Sequence, residues 1–131
     1  ERLKDPRIRE AIFKSVDIEG LVDLYGLASV PPGQLAPKGT VGYNPDVSAY
    51  EYDPARAMAL LEEARADGVD VDSLSIEIVG RSSTPRIKPT VEALGAMLNS
   101  VGIGTEVKVQ TPQEFNPRVR NAGSCQTEPV K

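Results

Sequence analysis

Arg81 carries the clearest chemical opportunity in this sequence. It sits in Gly80-Arg81-Ser82-Ser83, directly after a run in which Leu74, Ile76 and Ile78 alternate with Ser75 and Glu77. A period of two over a short run predicts a β-strand, and the break marks its carboxyl end. Open α/β sheets place their ligands at that end. From about Thr84 a helix opens, and the free N–H groups of a helix start favour anions. A guanidinium placed there matches both oxygens of a carboxylate. Arg81, Ser82 and Ser83 are therefore candidate ligand-binding residues; a solvent-facing loop arginine is the alternative. Tyr43 is a further candidate, because Tyr43, Tyr50 and Tyr52 could line a cleft. The competing reading is that these tyrosines anchor a long loop to its own domain.

Other chemistries find little support. The sequence has no histidine, so imidazole is missing as base or ligand, and most triad and zinc-site readings fall away. Cys125 is alone, which rules out an internal disulfide and a multi-cysteine metal site. Nothing basic adjoins it to make the thiol reactive. Glu62-Glu63 and Asp70/Asp72 are paired carboxylates by sequence only, one pair on a helix surface and the other in a loop, and read as solvated groups. Gly102-x-Gly104 follows a helix and precedes a strand, the reverse of a phosphate-cradling loop. The expectation is no catalytic residue, no metal ligand and no cofactor.

The element that positions Arg81 runs from Leu74 to Val109. Ile87, Val91, Leu94, Leu98 and Val101 recur every three or four residues and share one helical face. Gly102 and Gly104 close that helix as left-handed residues. Thr105, Val107 and Val109 then alternate with Glu106, Lys108 and Gln110. Two strands bridged by a helix of this length are expected to be parallel, through a right-handed crossover. Because both alternate, the sheet is expected to carry helices on one face, the other being wet or covered by material outside this sequence. The unit is expected to hold the core, with the rest packed around it. Pro89 poses a problem for a helix starting at Thr84: either the regular helix starts at Pro89 or its first turn is distorted.

Around that unit the chain divides readily. Residues 1–26 read as a helical pair: Asp5-Pro6 is a cap followed by proline, Ile8, Ala11 and Ile12 form a buried stripe, and Asp17 caps a second helix with Leu21, Val22 and Leu24, ending near Tyr25-Gly26. The two are expected to pack at an angle. Residues 27–53 form a long loop broken by Pro31, Pro32, Gly33, Pro37, Gly39, Gly42 and Pro45. Asp53-Pro54 opens a helix over 54–66, with Ala57, Leu60, Leu61 and Ala64 on one face, which ends at Ala66-Asp67-Gly68. The strand-helix-strand unit follows over 73–110. In 111–131, Thr111-Pro112 starts a helix that Pro117 shortens or bends, and a tail from Asn121 to Lys131 shows no pattern.

Bulk properties agree with one soluble globular domain over 1–131: 131 residues, 40% apolar and 26% charged. A net charge of −4 gives no reason to expect nucleic acid. Arg2, Lys4, Arg7, Arg9 and Lys14 are basic, but Glu1, Asp5 and Glu10 interleave with them, as on a solvated helix face. No apolar run reaches the length of a membrane span and no signal peptide is visible. The chain opens with Glu1 rather than Met, as a piece of a longer protein would.

The order of these signals resembles a known family. Leu3-Lys4-Asp5-Pro6-Arg7-Ile8-Arg9-Glu10-Ala11-Ile12 resembles the "DxRVRxAI" helix of the extracytoplasmic solute-binding proteins of family 5, the peptide- and nickel-binding components of ABC importers. Ser15-Val16-Asp17-Ile18-Glu19-Gly20-Leu21-Val22 is similar to that family's "AIDREALV". Pro31-Pro32-Gly33 with Gly42-Tyr43-Asn44-Pro45 resembles its "P-P-G … G-Y-N" loop. Tyr52-Asp53-Pro54-Ala55-Arg56-Ala57 with Leu60-Leu61 is similar to "YDPEKAKALL", and Leu94 to Val109 resembles its "IGI.vev" helix and strand. Each motif alone is weak; five in series, from about Leu3 to Phe115, are specific.

The resemblance implies a two-layer α/β fragment of a periplasmic-binding-protein-like (type II) lobe, with the parallel strand-helix-strand as its core. Family members are several times longer and close two lobes on a ligand, and this segment would be the larger part of the C-terminal lobe. The implied function is capture of peptides or similar small solutes on the periplasmic or extracellular face of the cytoplasmic membrane and delivery to ABC permease subunits, without catalysis, cofactor or nucleic acid. Arg81 matches an arginine that some dipeptide-binding relatives place near the ligand. The family's Gly-Trp strand, and the acidic residue after it, are absent, so the segment alone is not expected to bind. A ligand-sensing domain of a transcriptional regulator built on the same module is the alternative, and an interaction module pairing through an exposed strand edge is a third.

Overall fold

A computed structural model describes residues 2–24, 36, 39–47 and 51–123. Tyr25, Gly26, Tyr50, Pro31, Pro32, Gly33, Pro37, Cys125 and the tail beyond Gly123 lie outside those residues. After a short 3-10 turn at Arg2–Lys4 come α1 (Pro6–Lys14), α2 (Ile18–Leu24), α3 (Pro54–Ala66), β1 (Ser75–Arg81), α4 (Ile87–Ser100), β2 (Gly104–Gln110) and α5 (Pro112–Gly123).

The three acidic helix starts behave as the sequence predicts. Asp5 accepts the Arg7 N–H at 2.8 Å, with Pro6 at the first helical position. Asp17 accepts the Gly20 N–H at 2.8 Å, and Asp53 the Arg56 N–H at 2.9 Å. In each case a carboxylate satisfies an amide that the first helical turn leaves without a backbone partner.

The expected packing of the first two helices on each other gives way to a different pairing. The seven residues of α2 offer too short a stripe, and α1 packs chiefly against α3. The Arg7 guanidinium, held by Asp5, reaches the carboxylate of Asp67 and the carbonyl of Glu63 at the far end of α3. At the other end, the Asp53 N–H donates to the Lys14 carbonyl at 2.9 Å. These two ties make the pair antiparallel. Ala11, Ala57 and Ala64 are fully buried between them, and their small side chains let the helix axes approach.

The sheet is parallel, in register from Ser75↔Gly104 to Arg81↔Gln110. α4 covers the face bearing Ile76, Ile78 and Gly80 with Thr105 and Val107. The approach is close: a Cβ on Gly95 would lie 2.8 Å from Val107 Cγ2, and one on Gly80 2.5 Å from Ile87 Cγ1. Gly102 does take the left-handed conformation, at φ 95°, but Gly104 does not. It is the first residue of β2, where a Cβ would press on the Leu74 carbonyl at 2.9 Å.

Several expectations about this unit are corrected. β1 does not break at Gly80; pairing continues through Arg81, because Gly80 makes room for Ile87 and Val91 rather than turning the chain. α4 begins at Ile87, between the two starts considered, so Pro89 falls in the first turn, where its missing N–H costs no intrahelical bond. α5 is not cut short: it runs through Pro117 to Gly123 and takes in the first three residues of the supposedly patternless tail. A capping box secures its start, with the Glu114 carboxylate accepting the Thr111 N–H at 2.9 Å and hydroxyl at 2.8 Å. α5 also packs on the sheet, on the face opposite α4, where Arg118 pairs with Glu77. The second face is thus partly covered from within the chain.

The core is also displaced from its expected place. Ile8, Ala11, Ala57, Leu60, Leu61, Ala64, Val71, Leu74, Leu98, Val101 and Ile103 form one buried cluster. It joins the α1–α3 pair to the amino ends of the strands and the carboxyl end of α4. The strand-helix-strand unit contributes one end of the core rather than its centre.

Candidate functional site

The opposite end of the strands carries the candidate residues. Arg81 is the last residue of β1 and exposed, in register with Gln110. The Ser82 N–H donates to the Gln110 carbonyl at 2.8 Å, which extends the parallel pairing one step beyond the strand. The Thr84 N–H then returns to the Arg81 carbonyl at 2.9 Å, and the Ile87 N–H to the Thr84 carbonyl at 3.3 Å. Two linked turns therefore lead from strand to helix, and Ser82 and Ser83 lie exposed within them.

The anion-attracting helix start is weaker than the sequence suggests. Of the first three amides of α4, that of Ile87 is already bonded and Pro89 has none. Arg86, which precedes the helix, is left-handed at φ 58° and caps it with no side-chain bond. An anion at this corner would be held chiefly by side chains.

The charges on this sheet face decide which cation is available. Glu77, Val79 and Arg81 line it from β1, and Glu106, Lys108 and Gln110 from β2. Lys108 sits 2.9 Å from both Glu77 and Glu106, and Arg118 pairs with Glu77 from α5. The hydrogen bond from Arg118, then that from Lys108, holds the Glu77 carboxyl down to about 2. Glu106, then Glu77, raises the Lys108 ammonium above its ordinary value. Arg81 is different: among the described residues its guanidinium has no carboxylate and no hydrogen-bond acceptor. Lys108 and Arg118 hold the sheet and α5 together, and Arg81 is left to face solvent at the carboxyl edge.

Tyr43 lies elsewhere, half-buried in the described part of the long loop, where its N–H donates to the Thr40 carbonyl at 3.2 Å. No hydrogen bond among the described residues joins it to Arg81, Ser82 or Ser83. Tyr52 is exposed beside the Asp53 cap. The carboxylate pairs behave as solvated groups: Glu62 and Asp72 both hold Arg65, Glu63 holds Arg56, and Asp70 closes a turn on Ser73. Among the described residues no cluster of acidic or cysteine side chains is placed to hold a metal ion.

Sequence reasoning missed Gln110, read only as the polar member of an alternating strand. Its side-chain Oε1 is buried with no hydrogen-bond partner among the described residues, next to Arg81 across the ladder. The register supplies that neighbour, and register is not written in either strand alone.

Residues 1–125 match the model of the bacterial extracellular solute-binding proteins, family 5 Middle. The chain belongs to that family. It is 31% identical over 127 residues to the dipeptide-binding protein of Escherichia coli (strain K12), covering 95% of this chain and 23% of that one. It is 29% identical over 132 residues to a putative ABC transporter peptide-binding protein of Brucella ovis, covering 95% and 24%. Among solved structures, NikA from Brucella suis in complex with Fe(III)-EDTA superposes with a TM-score of 0.77 at 28% identity, over 91% of this chain and 26% of that one. The periplasmic binding protein DppA from Helicobacter pylori, in complex with the peptide STSA, superposes at 0.69 with 26% identity, over 90% and 22%. This family member thus has the α/β fold of type II periplasmic binding proteins, and it spans about a quarter of the length of these relatives. No helix among its described residues is long and apolar enough to cross a membrane.

Proposed function

We propose that this chain is part of the C-terminal lobe of an ABC-importer solute-binding protein that captures peptides or similar small solutes outside the cytoplasmic membrane and delivers them to permease subunits. The observation that carries the reading is the family match over nearly the whole segment, together with its likeness to a dipeptide-binding protein and to a peptide-bound structure. The chain's part in capture is to hold a rigid strand edge. β1, β2 and α4 are fixed at one end by the buried core, and at the other they present Arg81, Ser82 and Ser83 to a solute carboxylate. Tyr43 lies in a separate loop, where an aromatic surface can pack against a solute side chain. Lobe closure follows if the solute touches both lobes only in the closed state, since its differential affinity then shifts the population. No chemistry is asked of the segment; it binds and releases. Nothing in the fold or the comparisons favours the regulator alternative.

A thermal-shift screen of the full-length protein against peptides and metal chelates tests this reading. A rise in melting temperature with peptides is the expected result, reduced in Arg81→Ala. A protein that responds to no peptide, or an Arg81→Ala variant with undiminished affinity, would refute the peptide assignment or the site respectively.

A further inference from the structure

Two polar groups at the carboxyl edge of the sheet lie side by side without partners among the described residues. Arg81 and Gln110 are paired in the ladder and share a face, in the last position of each strand. The Arg81 guanidinium has no acceptor among the described residues, and Gln110 Oε1 is closed off from water without a donor. The other charged side chains that the strands place on that face, Glu77, Lys108 and Glu106, are all ion-paired. A buried acceptor without a donor forfeits a hydrogen bond that water would have supplied, so native structures keep such groups few. The backbone of Gln110 is fixed by the Ser82 N–H at 2.8 Å, so the carboxamide can be redirected only by rotation of its side chain.

Resting on the peptide-binding reading, we infer that Gln110 is the second half of the Arg81 subsite and accepts the N–H of the last peptide unit while Arg81 holds the terminal carboxylate. The chemistry of the pair matches that end of a peptide. A C-terminal residue carries a carboxylate and, one carbon away, an amide N–H. Facing positions of a ladder are about 5 Å apart, so two side chains projecting from them can converge on groups separated by a single Cα. The guanidinium is a donor only, and the carboxamide oxygen is an acceptor. One subsite therefore demands a negative group and a donor next to each other. An amidated C-terminus fails the first demand, and a terminal peptide nitrogen without hydrogen fails the second. Gln110 is thereby a specificity residue: it favours peptides whose last residue is not proline and is not N-methylated.

The test is calorimetric titration of the full-length protein with tri-alanine, its C-terminal amide, and tri-alanine methylated on the last peptide nitrogen. In the wild type, tri-alanine should bind about tenfold more tightly than the N-methyl peptide, the effect of one hydrogen bond to a buried acceptor. Gln110→Ala should erase that preference by weakening tri-alanine alone. Gln110→Glu, which keeps the side-chain shape and so guards against a folding artefact, should weaken tri-alanine further, because it gives Arg81 a competing carboxylate. Arg81→Ala should erase the preference for the free carboxylate over the amide. If Gln110→Ala keeps the wild-type ratio between tri-alanine and the N-methyl peptide, the role of Gln110 is refuted while the Arg81 site stands. If tri-alanine does not bind the wild type, or Arg81→Ala binds it unchanged, the underlying peptide site is refuted and the Gln110 inference with it.

Discussion

The two ends of the same pair of strands are built to opposite specifications. At the amino end, Leu74 and Ile103 enter a cluster with Ile8, Leu60, Leu98 and Val101, all nearly or wholly buried. At the carboxyl end, seven residues further along β1, Arg81 through Arg86 are all exposed, and past the Ser82–Gln110 bond the local backbone hydrogen bonds are turns. The contrast separates the packed end of the strands from the end that carries the candidate site. Burial at one end fixes strand direction and register, and that rigidity keeps Arg81 and Gln110, unpaired among the described residues, in defined positions at the other. Substitutions at the two ends should therefore read out in different assays.

The largest effect should come from the amino end. Ile8 is fully buried between α1 and α3, and Ile8→Ala should destabilise the protein by about 2–5 kcal/mol, the cost of lost burial plus a residual cavity. Arg81→Ala at the carboxyl end should stay within about 0.5 kcal/mol of wild type, as a surface change away from packing does. Urea unfolding of both variants checks the contrast; equal losses would abolish it. Next in size is the contact between the ends. Gly95→Val drives a side chain into Val107, where even a Cβ stands at 2.8 Å, and overpacking of this kind costs about 1–3 kcal/mol. A smaller change belongs to the start of α3. Asp53→Ala leaves the Arg56 N–H uncapped and should cost about 1 kcal/mol, measured by the same unfolding curves.

What could be read in advance follows the same division. Signals that depend on near neighbours were legible: the caps at Asp5, Asp17 and Asp53, the turn at Gly102, the alternation of both strands, and the bridging helix whose length makes them parallel neighbours. Signals that depend on what comes to lie alongside were not. The choice of α3 over α2 as partner for α1 rests on Arg7 meeting Asp67 and Asp53 meeting Lys14, contacts between distant parts of the chain. Gly80 looked like a breaker because glycine usually ends a strand; the demand it meets, room for Ile87 and Val91, appears only once α4 is laid on the sheet. The candidate site splits along the same line. Arg81 was legible as a cation at a strand end, and Gln110 required the register.

The smallest effect tests how α5 is attached to the sheet face that Arg81 and Gln110 share. Glu77 holds both Arg118 and Lys108, and its carboxyl is lowered from an ordinary 4.5 to about 2, first by Arg118. A carboxyl whose folded value lies below its unfolded value binds fewer protons when folded. Its contribution is complete above pH 4.5 and fades as pH falls toward about 2. Removing the first cause should flatten that decline: Arg118→Ala should lie below wild type in stability at neutral pH and converge with it as the acid limit is approached. The pair is partly exposed and screened by salt, so the gap should also narrow as ionic strength rises. Urea midpoints from pH 7 down to 2.5, at low and high salt, measure both trends. Curves for the two proteins that run parallel across the range would mean that the ion pair is a surface contact without thermodynamic consequence and that α5 keeps its place on the sheet without it.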